Sequence, residues 1–212
     1  MLWTIAALLV SYLLGSIPTA YLFGKMKGVD IRKVGSGNVG ATNAMRALGR
    51  GLGITVLLLD ILKGFIAVVV LGDYFGSKPI FWEVQNLRII IGLCCICGHN
   101  WTIFLRFKGG KGIATSFGVL LGLALTLPGL GIIIGILVLS WLIVFLAWRM
   151  VSLASIVAGI ALPVLVILFR QPVILLIVSL ILCAFVVIRH KSNLQRILQG
   201  KESRLSFSKP KQ

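Results

Sequence analysis

The sequence contains few acidic residues: five Asp and Glu stand against 21 Lys and Arg in a chain of 212 residues. Magnesium-dependent phosphoryl transfer needs clustered carboxylates to hold the metal, and paired carboxylates are a common acid–base couple. The segments that we place below on the cytoplasmic side contain only Asp30 and Glu202. We therefore exclude a magnesium-dependent phosphotransferase and expect neither a metal nor another cofactor.

Cysteine is also scarce, and its four copies lie inside apolar runs. Cys94 and Cys97 form a single C-x-x-C pair, whereas a zinc site of this kind needs a second pair of ligands. We interpret the cysteines as small packing residues of membrane helices.

Residues 1–3 offer no basic n-region, and no small-residue cleavage site ends the first apolar run, so we expect no cleavable signal peptide.

Long apolar runs dominate the chain, which is 58% hydrophobic and has a mean hydropathy of +1.06. The runs do not alternate, which favours membrane-spanning helices over a β-barrel. Residues 112–147 carry no charge and are too long for one crossing of a core ~30 Å thick, so we break this run at Pro128-Gly129. We predict an all-α integral membrane protein with seven transmembrane helices, over residues 3–23, 52–71, 89–105, 112–127, 130–147, 150–169 and 173–188.

Basic residues fix the expected orientation. In the seven-helix arrangement, residues 25–50, 106–111, 148–150 and the C-terminal tail share one side, and the other side has only Lys78, Arg88 and Arg170. The positive-inside rule then places the N-terminus outside and the C-terminus in the cytoplasm, with short interfacial helices and loops forming an active site on the cytoplasmic face. We expect a single domain over residues 1–198 and a frayed basic tail over residues 199–212.

The net charge of +16 suits an anionic lipid surface or anionic substrates. A chain this apolar has little soluble surface to offer nucleic acid, which we do not expect as a partner. The charge and the apolar runs together favour a membrane protein that handles anions.

The first cytoplasmic segment is rich in glycine and reads Gly35-Ser36-Gly37-Asn38-Val39-Gly40-Ala41-Thr42-Asn43, with Arg46 close behind. Its glycine spacing formally matches the dinucleotide fingerprint, but that motif needs a preceding strand in a βαβ unit. We predict instead a short helix from about residue 41 to residue 48, whose N-terminus would direct N–H groups at an anion. The alternative is an interfacial turn followed by a capped helix.

The second cytoplasmic segment brackets two glycines with lysines and reads Phe107-Lys108-Gly109-Gly110-Lys111-Gly112. It is not a Walker A string. A membrane anchor needs no glycines between its lysines, and a lysine at a helix start is unfavourable unless an anion is present. We favour a phosphate-binding loop over the alternative, a basic anchor with a flexible turn.

Further polar groups occur late in the chain. His190 and Asn193 are three residues apart on the predicted helical extension of the seventh span, so they share a face. They could act on a substrate or be ordinary interfacial residues. Arg149 and Ser152 could add a cation and a hydroxyl to the cytoplasmic face, or Arg149 could be an anchor.

Three polar groups lie within predicted spans. Asp60 and Lys63 are three residues apart, and charges at membrane depth are functional or paired. We favour a structural ion pair, with a proton or ion path as the alternative. We interpret His99, beside Asn100, as a hydrogen-bonded packing residue.

Taken together, the sequence resembles the bacterial family of membrane-integral acyl-phosphate:glycerol-3-phosphate acyltransferases. The resemblance runs in order along nearly the whole chain, and the first two of its three blocks are the more specific. Asp60-x-x-Lys63-Gly64 and Arg149-x-Val151-Ser152-Leu153-Ala154-Ser155 also look like family strings. The blocks are Gly35-Ser36-Gly37-Asn38-x-Gly40-Ala41-Thr42-Asn43-x-x-Arg46, Phe107-Lys108-Gly109-Gly110-Lys111-Gly112-x-Ala114-Thr115 and Arg189-His190-x-x-Asn193-x-x-Arg196-x-x-x-Gly200-x-Glu202.

The resemblance implies transfer of a fatty acyl group from acyl phosphate to the sn-1 hydroxyl of glycerol 3-phosphate. The products would be lysophosphatidic acid and phosphate, in the first step of phospholipid biosynthesis at the bacterial inner membrane. It implies a catalytic set of Ser36, Arg46, Lys111, His190 and Asn193. It also implies a substrate- and phosphate-binding set of Gly35, Gly37, Asn38, Gly40, Thr42, Asn43, Lys108, Gly109, Gly110, Arg149 and Ser152. The expected partners are these two substrates and membrane lipid, with the protein a monomer or weakly associated.

Some points stay open at the sequence level. The proton acceptor is His190 or the phosphate of the substrate itself, and acylation of Ser36 is a third route. Thr102 stands where we expect the family's proline, which predicts a looser helix end. The rival class is a small membrane transporter or a binding protein for phosphorylated solutes, which would place polar groups along a path through the membrane midplane.

Overall fold

A computed structural model describes residues 1–205 of the protein, and all regular secondary structure within that range is helical. Contacts divide the chain into two compact units, residues 1–130 and 131–212. The first unit contains α1 (Leu2–Ser16), α2 (Thr19–Met26), α3 (Ala41–Leu48), α4 (Arg50–Ile66), α5 (Gly72–Gly76), α6 (Val84–Asn100) and α7 (Ile113–Ala124). The second contains α8 (Leu130–Trp148, whose first residue belongs to the first unit), α9 (Val151–Leu168), α10 (Val173–Arg189) and α11 (Lys191–Leu198).

Proline and glycine interrupt the apolar helices of the first unit. α1 ends at Ser16 and α2 begins at Thr19, because Pro18 lacks an amide hydrogen and disfavours helical geometry in the residue before it. α4 continues through a π-helical stretch, Ala67–Leu71, into α5. The break predicted at Pro128-Gly129 is confirmed, since it separates α7 from α8.

Small residues let the helices of the first unit pack closely. A Cβ on Gly15 would lie 2.0 Å from the Cys95 carbonyl oxygen, and one on Gly98 would lie 2.1 Å from the Tyr12 carbonyl oxygen. The Ser11 hydroxyl donates to the Ile91 carbonyl across the same α1–α6 interface at 2.7 Å. Close backbone approach and interhelical hydrogen bonds are the usual forces between membrane helices.

The second pair, α4 and α7, packs in the same way. A Cβ on Gly118 would lie 1.9 Å from the Ile61 carbonyl oxygen, and one on Gly64 would lie 2.2 Å from the Thr115 carbonyl oxygen. α7 has 12 residues, and at ~1.5 Å per residue it is too short to cross a membrane core alone.

The second unit consists mainly of apolar helices with a sharp bend near its end. α9 packs against α10 and α11. The chain bends by 58° between α10 and α11, with His190 as the residue that joins them. The predicted helical extension of the seventh span is therefore present as α11, but it is bent away from α10 instead of continuing it straight.

Five segments within residues 1–205 are long and apolar enough to cross a membrane, and a sixth arises if α10 and α11 count as one bent span. The five are Leu2–Met26, Arg50–Gly76, Val84–Leu105, Leu130–Trp148 and Val151–Leu168. The protein is thus an all-helical integral membrane protein, as predicted.

The expectation of a frayed tail from residue 199 is wrong for its first part. Glu202 is 8% exposed and accepts hydrogen bonds from Ser152, Asn193 and Arg196. A carboxylate with three donors is held in place by charge-assisted hydrogen bonds. The rest of the predicted tail, residues 206–212, lies outside the described residues.

Candidate active site

The first glycine-rich segment is a turn built around one buried asparagine. The Asn43 side chain accepts the Ser36 N–H at 2.9 Å and donates to the Ile31 and Val34 carbonyls at 3.0 Å. Asn43 is 1% exposed, so it braces the turn from within. The sequence assigned this residue to substrate binding, and the structure gives it a role in holding the backbone of the turn.

Gly35 and Gly37 are required by the conformation of this turn. Their φ angles are +62° and +69°, in the left-handed region that other residues rarely adopt. A Cβ on Gly35 would lie 2.3 Å from Asn43 Oδ1. The glycines therefore allow the chain to wrap around the asparagine.

Helix α3 follows the turn and begins where the sequence predicts. Gly40 is its N-cap and has no side chain with which to cap the helix. The first N–H groups of an uncapped helix lack intrahelical acceptors and carry a partial positive charge. Ser36 is exposed ahead of this N-terminus and Arg46 is exposed in the last turn of α3, while Asn38 and Thr42 are half-buried. This end of α3 can accept an anion.

The lysine-bracketed segment, residues 107–112, is pressed against the end of α6; we call it the 107–112 loop. The Gly109 N–H donates to the Asn100 carbonyl at 3.1 Å, and the Gly110 N–H donates to the His99 carbonyl at 2.9 Å. A Cβ on Gly109 would lie 2.0 Å from the His99 carbonyl oxygen. These two glycines therefore serve close packing, and their N–H groups already donate to protein acceptors.

Helix α7 starts at the end of the 107–112 loop. Gly112 is its N-cap, with φ +79°, and no described side chain caps it. The side chains of Asn100 and Thr115 lie fully buried near this end, and neither has a hydrogen-bond partner among residues 1–205. Lys111 is half-buried and Lys108 is exposed. The first unit thus has a second helix N-terminus with polar surroundings and adjacent cations.

Both basic segments reach one narrow cleft of the first unit, which is closed tightly enough to leave no room for a water molecule. Val39 contributes from the first segment and Gly110 from the second, and residues 15–19, at the break between α1 and α2, complete much of the wall. His99 and Thr102 also line the cleft. Two segments far apart in sequence are therefore neighbours in the fold, and each leads into an uncapped helix N-terminus.

The polar residues of the second unit are organised by Glu202. Its Oε1 accepts from Ser152 Oγ at 2.7 Å and from Asn193 Nδ2 at 2.6 Å, and its Oε2 accepts from Arg196 Nε at 2.8 Å. Burial alone would raise the pKa of this carboxyl, but the hydrogen bonds from Ser152, Arg196 and Asn193 outweigh it and lower the pKa below its usual value. Glu202 therefore fixes two of the predicted site residues, Ser152 and Asn193.

His190 is buried at the bend between α10 and α11. Its Nδ1 lies 2.8 Å from the Val186 carbonyl oxygen. A carbonyl oxygen can only accept, so Nδ1 carries the hydrogen, and in the neutral ring Nε2 is the nitrogen able to accept a proton. The backbone thus selects the tautomer of this histidine.

Arg149 lies at the end of α8 and is exposed. Its φ is +55°, and its carbonyl accepts the Leu205 N–H at 2.9 Å. With Arg204, Leu146, Trp148 and their neighbours it lines an open cavity of about 400 Å³. The structure therefore gives this arginine a position facing an open, partly apolar surface.

Some features of the site were not found from the sequence. Glu202 was noted as a rare cytoplasmic acid and as a member of one family string, but its bonding role was not predicted, because its three donors come from residues 6, 9 and 50 positions away. Thr102 was expected to loosen a helix end, which is wrong: its hydroxyl donates to the Ser16 carbonyl at 2.5 Å and accepts from the Phe104 N–H at 3.3 Å. Those two bonds replace the rigidity that a proline would supply.

Near the first segment, Asp30 pairs with the exposed Arg32 through two hydrogen bonds of 2.9 Å. The Arg32 side chain is the main reason that the pKa of Asp30 is lowered to about 2. This acid is therefore neutralised by its own neighbour and does not oppose anion binding.

Comparison with known proteins finds one family model and several relatives that match nearly the whole chain. The family model described as glycerol-3-phosphate acyltransferase matches residues 5–200. The glycerol-3-phosphate acyltransferase of Geotalea daltonii is 42% identical over 199 residues, covering 94% of this chain and 96% of the relative. That of Fusobacterium nucleatum is 41% identical over 201 residues, covering 94% and 97%.

Two solved structures share the fold. The crystal structure of PlsY (YgiH), an integral membrane glycerol 3-phosphate acyltransferase, in its glycerol 3-phosphate form has a TM-score of 0.84 and 38% identity and covers 96% of each chain. The lysophosphatidic acid form has a TM-score of 0.81 and 37% identity, covering 96% of this chain and 95% of the other. The likeness extends over 96% of this chain.

Proposed function

Since the chain belongs to the glycerol-3-phosphate acyltransferase family and is a membrane acyltransferase, we propose that its acyl donor is acyl phosphate. The acceptor is the sn-1 hydroxyl of glycerol 3-phosphate, and the products are lysophosphatidic acid and inorganic phosphate. The protein then performs the first acylation of phospholipid biosynthesis at the inner membrane of a bacterium.

We propose seven membrane crossings, with the N-terminus outside and the C-terminus in the cytoplasm. The five or six segments of sufficient length are joined by α7 as a short crossing, extended by the turns at its ends. The distribution of lysine and arginine supports this orientation. The basic segments 25–50 and 106–111 then meet cytoplasmic glycerol 3-phosphate, while the acyl donor enters from the bilayer.

The observation that carries the proposal is the pair of uncapped helix N-termini in the first unit, α3 and α7. Both substrates carry phosphate, and the leaving group is phosphate. Helix N-termini and nearby cations stabilise such anions. Lys111 and the turn at residues 35–43 hold the acyl phosphate, and Arg46 binds one of the two phosphates.

The remaining residues of the first unit support these contacts. Ser36 adds a hydroxyl, Lys108 adds a second lysine, and Asn38 and Thr42 add polar groups to the turn. Gly40 caps α3 without a side chain. Gly109 and Gly110 contribute by letting the 107–112 loop sit close to α6.

The second unit, taken by itself, holds the remaining polar residues that the family resemblance assigns to the reaction. Asn193, oriented by Glu202, positions the substrate, and Ser152 and Arg149 provide a hydroxyl and a cation. His190 presents a fixed tautomer, because Val186 holds its Nδ1–H. A hydroxyl proton needs such an acceptor within hydrogen-bond reach.

In the reaction, the sn-1 oxygen forms a bond to the acyl carbonyl carbon, and the bond from that carbon to the phosphate oxygen breaks. The bond electrons leave with phosphate. The hydroxyl proton goes to His190 Nε2 or to the phosphate of the substrate. Catalysis comes mainly from positioning and from stabilising the oxyanion and the departing phosphate.

A direct test mixes the purified protein with palmitoyl phosphate and glycerol 3-phosphate and follows the release of phosphate. We expect release that depends on both substrates, and little transfer from acyl-CoA or acyl carrier protein. Thioester donors release a thiol and not phosphate, so lysophosphatidic acid is followed as the product common to all three donors. The absence of lysophosphatidic acid with all three donors would refute the enzyme. Lysophosphatidic acid formed only from a thioester donor would refute acyl phosphate as the donor.

Comparing His190→Ala with His190→Asn identifies the proton acceptor. Asparagine can keep a donor near Val186 but cannot take a proton, so near-normal turnover of His190→Asn would exclude His190 as the base. We also expect no acyl-enzyme to be trapped with labelled acyl phosphate. A stable adduct at Ser36 would favour the covalent route instead.

A further inference from the structure

A cluster of buried polar side chains lies in the first unit behind the 107–112 loop. Asp60 Oδ1 accepts from Thr19 Oγ1 at 2.8 Å and lies 2.9 Å from Lys63 Nζ. The same oxygen lies 3.6 Å from His99 Nδ1, slightly beyond hydrogen-bond length. All four residues are at most 9% exposed. The sequence joined Asp60 to Lys63, and the structure adds His99 and Thr19.

The ion pair is a poor device for stability alone. Charges at membrane depth are costly, and replacing a buried pair by apolar residues of similar size is often neutral or stabilising. The reaction described above uses none of these side chains. These side chains therefore contribute to function through the residues that they contact.

His99 connects the cluster to the 107–112 loop. Its carbonyl accepts the Gly110 N–H at 2.9 Å. Its ring lies so close that a Cβ on Gly110 would be 2.1 Å from Nε2. The imidazole is thus held between Asp60 on one side and Gly110 on the other. Lys111 directly follows Gly110 in the 107–112 loop.

The cluster also supports the opposite wall of the cleft. Lys63 Nζ donates to the Ile17 carbonyl at 3.1 Å, at the break between α1 and α2, and Thr19 belongs to the same break. Residues 15–19, His99 and Gly110 all line the narrow cleft. One buried carboxylate therefore fixes groups on two sides of it.

We propose that Asp60 and Lys63 are positioning residues that act through His99 to fix the 107–112 loop and with it Lys111. This inference rests on the proposed phosphate-binding role of that loop. The ion pair holds the imidazole, the imidazole holds Gly110, and the loop then presents its lysine at the N-terminus of α7. Preorganisation of this kind matters because a shift of ~1 Å at a reacting group can cost ~100-fold in rate.

The test compares two charge-neutral double variants in the full chain. Asp60→Asn/Lys63→Met keeps an acceptor oxygen for His99 and Thr19, whereas Asp60→Leu/Lys63→Met removes it. Two readouts are used: kcat and KM for palmitoyl phosphate, and the rate at which trypsin cuts after Lys108 and Lys111. The second readout reports loop order independently of activity.

The matched control is Asp73→Asn/Arg88→Met. Arg88 is buried in α6 of the same unit, where it pairs with Asp73 and donates to the Val68 carbonyl at 3.2 Å. This variant also removes an ion pair from the first unit but touches neither His99 nor the loop. Thermal unfolding measures the stability of each variant. The control therefore distinguishes a general loss of stability from a loss of loop positioning.

We expect Asp60→Leu/Lys63→Met to lower kcat/KM by ~10–100-fold and to speed cleavage at the loop. The asparagine variant, which loses the ion pair but keeps the acceptor oxygen, should show the same changes to a smaller degree, and the control should stay near the wild type in both readouts. If the leucine and asparagine variants behave alike, or if the control shows the same changes, the inference is overturned. If the leucine variant does not fold, the comparison of His99→Leu with His99→Asn decides by the same two readouts.

The proposed function and the positioning inference can fail separately. If the wild-type protein releases no phosphate from palmitoyl phosphate, the proposed donor is wrong. The protease readout still decides the inference in that case, because loop order does not depend on turnover. Unchanged cleavage in Asp60→Leu/Lys63→Met would overturn the positioning role even if the enzyme is active.

Discussion

Replacing Glu202 by glutamine should destabilise the protein, because this carboxylate gathers three donors. Glutamine keeps an acceptor oxygen for Ser152 and Asn193 but turns an NH₂ group toward Arg196. A hydrogen bond to a charged group contributes about 1.5–3 kcal/mol. The Arg196 side chain is 39% exposed, so we take the lower end, about 1.5–2 kcal/mol. For a chain of this size that is ~3–8 °C in the thermal midpoint.

The effect should depend on pH in a defined direction. The folded-state pKa of Glu202 is lowered from its usual value of 4.5. Its stabilisation is therefore complete above pH 4.5 and is lost as the pH falls through the lower folded-state pKa. The difference in midpoint between wild type and Glu202→Gln should be full at neutral pH and shrink below that window.

Thermal unfolding in detergent micelles measures this difference, and Glu83→Gln is the matched control. Glu83 is an exposed carboxylate at the start of α6, so the same chemical change there should leave the midpoint unchanged. Equal midpoints of wild type and Glu202→Gln at neutral pH would refute the reasoning. So would a difference that persists undiminished however far the pH falls below 4.5.

Three further changes test the first unit. Gly110→Ala places a methyl group 2.1 Å from His99 Nε2, so phosphate release should fall at least ~10-fold. Gly51→Ala, which meets nothing within 4 Å, should not change it, and equal activities would contradict the packing argument. Asn43→Ala removes three hydrogen bonds of the first turn and should cost about 2–3 kcal/mol, seen as a lower unfolding midpoint; an unchanged midpoint would count against that role. Lys111→Met should slow phosphate release ~100-fold, and full activity would exclude this lysine from phosphate binding.

Local rules predicted much of the helical framework. The apolar runs located the long helices, and Pro18 and Pro128-Gly129 marked real breaks because proline acts on its own segment of chain. The short helix over residues 41–48 was also predicted, since glycine before a helical pattern is a local signal. α7 is shorter than its apolar run suggests, because apolar character does not fix where a helix stops.

Contacts between distant segments could not be predicted in the same way. His99 was interpreted as a packing residue beside Asn100, but it meets Asp60 and Gly110 through the packing of α4, α6 and the 107–112 loop. The glycines of that loop suggested anion binding, and the structure shows that they pack on α6. Such roles depend on which helices become neighbours, and hydrophobic periodicity carries no information about that choice.

The packing of α1 on α6 has a consequence for how the protein is made. Ser11 and Ser16 donate to carbonyls 80 and 82 residues further along the chain. At a synthesis rate of ~5–20 residues per second, α6 follows α1 out of the ribosome by roughly 4–16 s. α4 likewise waits for α7, its main neighbour. The first unit can thus assemble only after its last helices have been inserted. Until then, the small polar faces of the early helices meet lipid. An insertase or membrane chaperone would matter most at this stage of biogenesis.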